Sequence, residues 1–158
     1  MTHQPAPLQT RITDDLKTAM KARDDKVRLS TLRLIIAAIK ARDIDARAHD
    51  RCSGLTDAEV TEVLTKMVKQ RQDSAATYEE AGRIELAEQE RQEQAVIEEY
   101  LPRQLTAAEI DAAVDGVVTD LGAEGLKDMG RCMGALKERY AGQMDFSKAN
   151  KAVKAKLG

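Results

Sequence analysis

An all-α protein in two helical parts is the fold class this sequence predicts, and three observations carry it. Charged residues make up 33% of the 158 positions and aromatics 3%, with no Trp, so the composition is weighted towards strong helix formers such as Ala, Leu, Glu, Lys and Arg. Apolar residues recur three and four positions apart along most of the chain, which is the rhythm of one helix face. That rhythm is interrupted most clearly at "YLPRQLTAAEI". There Pro102 disfavours helix at Leu101, and Thr106 with Glu109 forms a capping box. A domain junction at this point leaves a four-helix N-terminal domain over 1–101 and a small three-helix domain over 102–158.

Each element has a local reason. After a tail with Pro5 and Pro7, Leu8, Ile12, Leu16, Ala19 and Met20 form the stripe of a first helix, Leu8 to Arg23. Asp24 and Asp25 supply an N-cap and first-turn negative charge for a second, Lys26 to about Ala48. Its apolar set, Leu29, Leu32, Ile35, Ile36 and Ile39, is broad enough to predict a buried central helix. Thr56 and Glu59 form a capping box that opens a third helix, whose stripe of Val60, Val63, Leu64, Met67, Ala75 and Tyr78 runs to Gly82. The fourth, Arg83 to Tyr100, is acidic and mostly solvated, with Leu86, Val96, Ile97 and Tyr100 as its apolar contacts. Beyond the junction come three short stripes: Ile110 to Leu121, Met129 to Tyr140, and Phe146 to Leu157, with Gly122 and Gly142 as stops.

Charge is distributed unevenly. Residues 126–158 hold eight Lys/Arg against Asp128, Glu138 and Asp145, a surplus of five positive charges, although the whole chain carries −2. A basic end on an acidic chain suits a polyanionic partner, and equally a solvated surface.

Several kinds of chemistry lack their parts. The two histidines are His3, in the tail, and His49, beside a loop; no GxxxxGK[ST] or GxGxxG segment is present. Cys52 and Cys132 stand eighty positions apart without metal-ligand spacing, so reduced thiols are expected and no metal or cofactor. The N-terminal residues lack an apolar leader core, and no apolar run approaches the roughly 18 residues of a membrane span. The expectation is a cytoplasmic protein without a membrane association and without a catalytic site.

The segment "KDMGRCMGALKERYAGQMDFSKANKAVK" is the most distinctive. Met129, Cys132, Met133, Leu136 and Tyr140 share one helix face, while Gly130 and Gly134 stand together beside it with Lys127 and Lys137 nearby. Two glycines in a helix cost about 1 kcal/mol each against Ala. The first explanation is close helix packing through the missing side chains; the second is a bare, lysine-flanked patch that a phosphate backbone can approach. Asp128 and Asp145 stand where helices should begin and read as caps. Lys148, Lys151 and Lys154 fall off the last apolar stripe and should face solvent.

The segments "TLRLIIAAIKARDID", "VLTKMVKQRQDSAATYEEAGRIELAEQE", "YLPRQLTAAEI" and "KDMGRCMGALKERYAGQMD" resemble, in order, the motifs of the bacterial GatB/YqeY family, in its free-standing YqeY-like form. The resemblance implies four N-terminal helices and a three-helix part similar to the tail domain of the B subunit of the tRNA-dependent amidotransferase. In that enzyme the tail engages tRNA, while amide transfer and ATP-dependent activation lie elsewhere. This chain has no counterpart of the kinase-like cradle or of the Ser-rich amidase signature, so a glutamine-dependent carbon–nitrogen ligase activity would rest on the family name alone. The motif maps onto Asp128, Met129, Gly130, Met133, Gly134, Leu136 and Lys137, and its turn onto Gly142 and Asp145. The expected function is a non-catalytic tRNA- or structured-RNA-binding module, with Lys127, Arg131, Lys137, Lys148, Lys151 and Lys154 on phosphates. The alternative is a protein-interaction adaptor near the aminoacylation machinery.

Overall fold

The computed structural model describes residues 6–49 and 54–158; His3, Pro5 and Cys52 lie outside them. Every regular element among the described residues is helical: α1 (Pro7–Ala22), α2 (Lys26–Ala48), α3 (Asp57–Glu80), α4 (Ile84–Glu98), α5 (Ala107–Leu121), a 3-10 turn (Leu126–Asp128), α6 (Met129–Arg139) and α7 (Phe146–Leu157). The chain divides into two compact units, Met1–Leu101 and Pro102–Gly158, with α1 to α4 in the first and α5 to α7 in the second.

Local chemistry sets the helix limits. Asp25 accepts from the Arg28 N–H at 2.9 Å and starts α2. Both capping boxes form, Thr56 with Glu59 on α3 and Thr106 with Glu109 on α5, so each relieves two of the N–H groups that a helix start leaves without partners. Gly122, at φ 58°, closes α5 in the left-handed region where glycine is unstrained. At the end of α1 the same role falls to Arg23, at φ 55°.

In the first unit Ile12, Leu32, Ile35, Ile39, Leu64 and Ile97 are fully buried in one cluster. Removing such a side chain to Ala costs roughly 2–5 kcal/mol. Tyr100, the one aromatic ring buried among the described residues, closes the cluster. Its hydroxyl donates to Asp15 Oδ2 at 2.6 Å, Arg11 lies 4.9 Å from the ring centroid, and Arg28 pairs with Glu99 beside it. Burial first, then Asp15, pushes the phenol well above its ordinary pKa, so the bond to Asp15 persists through neutral pH.

Two expectations fail in this unit. α2 is not buried all round: its outward pole carries Leu34, 45% exposed, and Ile44, 67% exposed, with Ala37, Ala41 and Ala48 on the same stripe. Met20 turns outward from α1, and Leu86 from α4. The reason is common to all of them, since a helix can offer apolar residues on more sides than it has neighbours.

α3 is longer than the core it serves. Its cluster residues end at Val68 and those of α4 begin at Val96. Beyond that level the α3–α4 hairpin is held by its own seam, where Ala75 and Ala87 are buried and half-buried Arg71 faces Glu93 at 3.7 Å. Burial, followed by the neighbouring Glu93 charge, raises the Glu90 pKa there. Gly82, at φ 73°, makes the turn.

The second unit buries Val114, Val117, Cys132, Leu136, Met144 and Val153 in a separate cluster. Its leading segment is stitched to the α6–α7 turn: Leu105 N–H donates to Gln143 O at 2.7 Å and Gln104 Nε2 to Gly142 O at 2.6 Å. Arg103 adds two bonds to the Glu109 carboxylate, at 2.6 and 3.1 Å.

Replacing Thr106 with Ala removes one side of the α5 capping box and lowers stability by about 1 kcal/mol in urea denaturation. Glu109 adds a pH dependence, because the Arg103 guanidinium and then the Thr106 N–H hold its carboxyl down at about 2. A depressed carboxyl stabilises the fold fully above its unfolded pKa, about 4.3, and loses that contribution as the pH falls towards 2. The stability difference between wild type and Glu109→Gln therefore shrinks between pH 5 and pH 2.5 (about the span set by those two pKa values), as read by denaturation at each pH.

Candidate nucleic-acid interface

The basic positions expected to face a polyanion all lie in the second unit. Lys127 is in the 3-10 turn, Arg131 and Lys137 are on α6, and Lys148, Lys151 and Lys154 are on α7; all six are exposed. Ion pairs fix their orientation. Arg139 of α6 reaches Asp120 of α5 at 2.9 Å, and Lys156 of α7 pairs with Asp115 of α5. At 100° per residue Lys137 stands roughly 160° round α6 from Arg139, and Lys154 roughly 160° round α7 from Lys156. Lys137 and Lys154 therefore point away from α5, and Lys151, roughly 140° round α7 from Lys156, leans the same way. Arg131 and Lys148, each roughly 80° round from the paired residue of its helix, stand to the side.

The paired and unpaired cations differ in availability. Lys127, Lys137, Lys148, Lys151 and Lys154 have no ion pair among the described residues. Arg131 does, donating to Asp128 Oδ1 at 2.9 Å and to Leu121 O at 3.4 Å, so its guanidinium is partly committed to the chain.

Asp128 is not the cap of α6. Its backbone is already helical and its side chain makes no cap bond; instead it accepts from Glu124 N–H at 3.0 Å and from Arg131. Those two contacts, the Glu124 N–H foremost, hold its carboxyl below the ordinary range. The 3-10 turn before Met129 explains the difference, since it brings the carboxylate back onto the loop that precedes it. Asp145 does cap α7, accepting from Ser147 N–H at 2.8 Å.

The glycine pair also differs from the first expectation. A side-chain carbon built on Gly130 or Gly134 meets nothing within 4 Å, and both residues are exposed. Close packing within the second unit is therefore not what these glycines serve. With Lys127 and Lys137 they form one strip at i, i+3, i+7 and i+10, about 15 Å long, bare in its middle and cationic at its ends. Met129 and Met133 are half-buried against the second cluster, beside fully buried Cys132 and Leu136. Gly142, at φ 73° and buried, shapes the turn between α6 and α7.

Leu126 belongs to this surface although the sequence reading does not single it out. It is 52% exposed beside Lys127, and a side-chain carbon on Gly158 would stand 3.9 Å from its Cδ2, which places the end of α7 next to it. The available signal is a leucine between Gly125 and Lys127 that fits no apolar stripe.

Other site chemistry is sparse. Among the described residues no group of three His, Cys, Asp or Glu could hold a metal ion, and no helix is long and apolar enough to cross a membrane. His49 closes α2 and its Nδ1 lies 2.9 Å from Asp45 O. A shallow cleft of about 300 Å³ in the first unit is lined by Asp15, Asp24, Asp25 and Arg28, all but Asp24 already engaged in the bonds of α1, α2 and Tyr100.

An all-helical chain with a basic surface on its second helical unit is the class of protein these features define. It belongs to the Yqey-like protein family, whose model matches residues 9–157. Among curated proteins it is similar to "Altered inheritance of mitochondria protein 41, mitochondrial" of Lachancea thermotolerans, 37% identical over 109 residues covering 68% of this chain and 56% of that protein. The protein of the same name from Kluyveromyces lactis is 34% identical over 112 residues, 70% of this chain and 58% of the relative. That from Clavispora lusitaniae is 40% identical over 87 residues, 55% and 47%. The chain thus spans about half the length of the curated relatives it matches. Their names are those of yeast mitochondrial proteins, which overturns the expectation of a bacterial, cytoplasmic protein. Composition and apolar runs report folding constraints, and a helical protein meets the same constraints in either compartment.

Because Gly134 sits in open space inside α6, Gly134→Ala is expected to raise stability by about 1 kcal/mol, measured by urea denaturation. A loss of stability of that size would mean that the strip is packed after all.

Proposed function

We propose that the chain is a non-catalytic module that binds tRNA or another structured RNA through the outer face of α6 and α7, with 102–158 acting as a domain similar to the amidotransferase B-subunit tail. The observation that carries this reading is the set of five exposed lysines without ion pairs among the described residues, one in the 3-10 turn, one on α6 and three on α7. A lysine without an internal partner loses little when it meets a phosphate, and each such contact releases condensed counterions. The bare strip at Gly130 and Gly134 gives a phosphate backbone room to approach. Arg131 plays a lesser part, since Asp128 already holds it.

Duplex or folded RNA suits the face better than a single strand. Single-strand binders rely on exposed aromatic rings for stacking, whereas Tyr140 and Phe146 are half-buried in the second cluster. Lysines fix position on a backbone and leave selectivity to shape. A protein-interaction adaptor near the aminoacylation machinery is the second reading, and the outward apolar stripe of Leu34, Ala37, Ala41, Ile44 and Ala48 on α2 favours it. A glutamine-dependent ligase activity has no support beyond the family name.

Filter-binding titrations against total tRNA and a length-matched unstructured RNA, at two salt concentrations, test the reading. Binding should prefer tRNA and weaken with salt, by a log–log slope of about −0.9 per phosphate contacted on duplex. Lys137→Glu, Lys148→Glu and Lys151→Glu together should weaken binding by roughly a hundredfold or more while circular dichroism shows the helices intact. Unchanged affinity in that folded triple variant would remove the lysine face from consideration.

A further inference from the structure

The part of the α3–α4 hairpin beyond Val68 and Val96 is built differently from the rest of its unit. It contributes nothing to the apolar cluster, and between Gln72 and Gln92 it holds six acids against Arg83 and Arg91. Arg91 is paired with Glu79. Glu80, Glu85 and Glu88 are exposed and without ion pairs among the described residues. Ile84, 62% exposed, lies one helical turn before Glu88, so the tip presents an apolar side chain framed by carboxylates.

The second unit carries the complementary surface. Five of its lysines have no ion pair among the described residues, exposed Leu126 stands beside Lys127, and the Gly130/Gly134 strip is open. Each surface therefore offers what the other lacks: free carboxylates around an exposed isoleucine, and free ammonium groups around an exposed leucine and a bare strip. Opposite potentials of this kind steer encounter and fix orientation, and an acidic tip is repelled by nucleic acid.

We propose that the acidic tip of the α3–α4 hairpin in one copy docks on the α6–α7 lysine face of a second copy, so that self-association and polyanion binding compete for the same lysines. The competition rests on the RNA-binding reading given above; the docking rests on the two surfaces alone. Occupation of the face by a carboxylate-bearing tip screens it from weak, non-specific anions, and a ligand with many phosphates displaces the tip.

The test is sedimentation velocity on the full chain at low salt and again at about 0.5 M, where the Debye length has shrunk to a few ångström. Wild type should associate at low salt and dissociate at high salt. Two reversed variants are then made, one with Glu80→Lys, Glu85→Lys and Glu88→Lys, the other with Lys137→Glu, Lys148→Glu and Lys151→Glu. Each alone should be monomeric, and a one-to-one mixture should associate again, because the basic tip of the first meets the acidic face of the second. A monomeric wild type at low salt, or a mixture of folded variants that stays monomeric, overturns the docking. Total tRNA added to wild type separates the two ideas. If the mixture associates but tRNA neither binds nor dissociates wild type, the RNA reading fails and the docking stands; if tRNA binds while the mixture stays apart, the reverse holds.

Discussion

A chain with so few aromatic rings has to close its cores with aliphatic stripes, and the first unit does so around the exception, Tyr100. The ring fills the end of the cluster while its hydroxyl, bound to Asp15, ties the turn that follows α4 to α1, and Arg28 brings in α2. Three helices thus converge on one side chain just before Pro102. Without that node α4 would be held mainly by α3, because its own stripe is thin and its outward surface is charged. From this base the α3–α4 hairpin runs on beyond the cluster, held there by its own seam at Ala75, Ala87 and the Arg71–Glu93 pair.

Much of the fold was legible because helix boundaries are written in chemistry that acts over three or four residues. Thr56 with Glu59, Thr106 with Glu109, Asp25 and Asp145 read correctly as helix starts, and Gly122 as a stop, since each depends on neighbours in sequence. What a stripe does not reveal is whether a neighbour covers it. Leu34 and Ile44 keep helical spacing as well as Leu32 and Ile39 do, yet face outward, because four helices of a small unit leave the far pole of α2 without a partner.

The basic face was legible as a set of residues and only partly as an arrangement. Lys148, Lys151 and Lys154 fall off their apolar stripe and are exposed as the periodicity implies. The state of Arg131 and Asp128 was not readable, because the 3-10 turn that joins them depends on the loop at Glu124. The glycines misled for a related reason. Two absent side chains on one side of a helix signal that something needs room, but sequence does not distinguish a packed neighbour from empty solvent, and here the space is empty.

Cys132 lies fully buried at the centre of the second cluster, among Val114, Leu136 and Val153. A thiol in that place is sealed from aqueous reagents for as long as the three helices remain together, so any labelling of it records a moment when they part. The residue thereby acts as a clock built into the basic unit, sampling its excursions from the native state at equilibrium. Any ligand that binds only the closed unit slows that clock by the factor by which it stabilises the closed state.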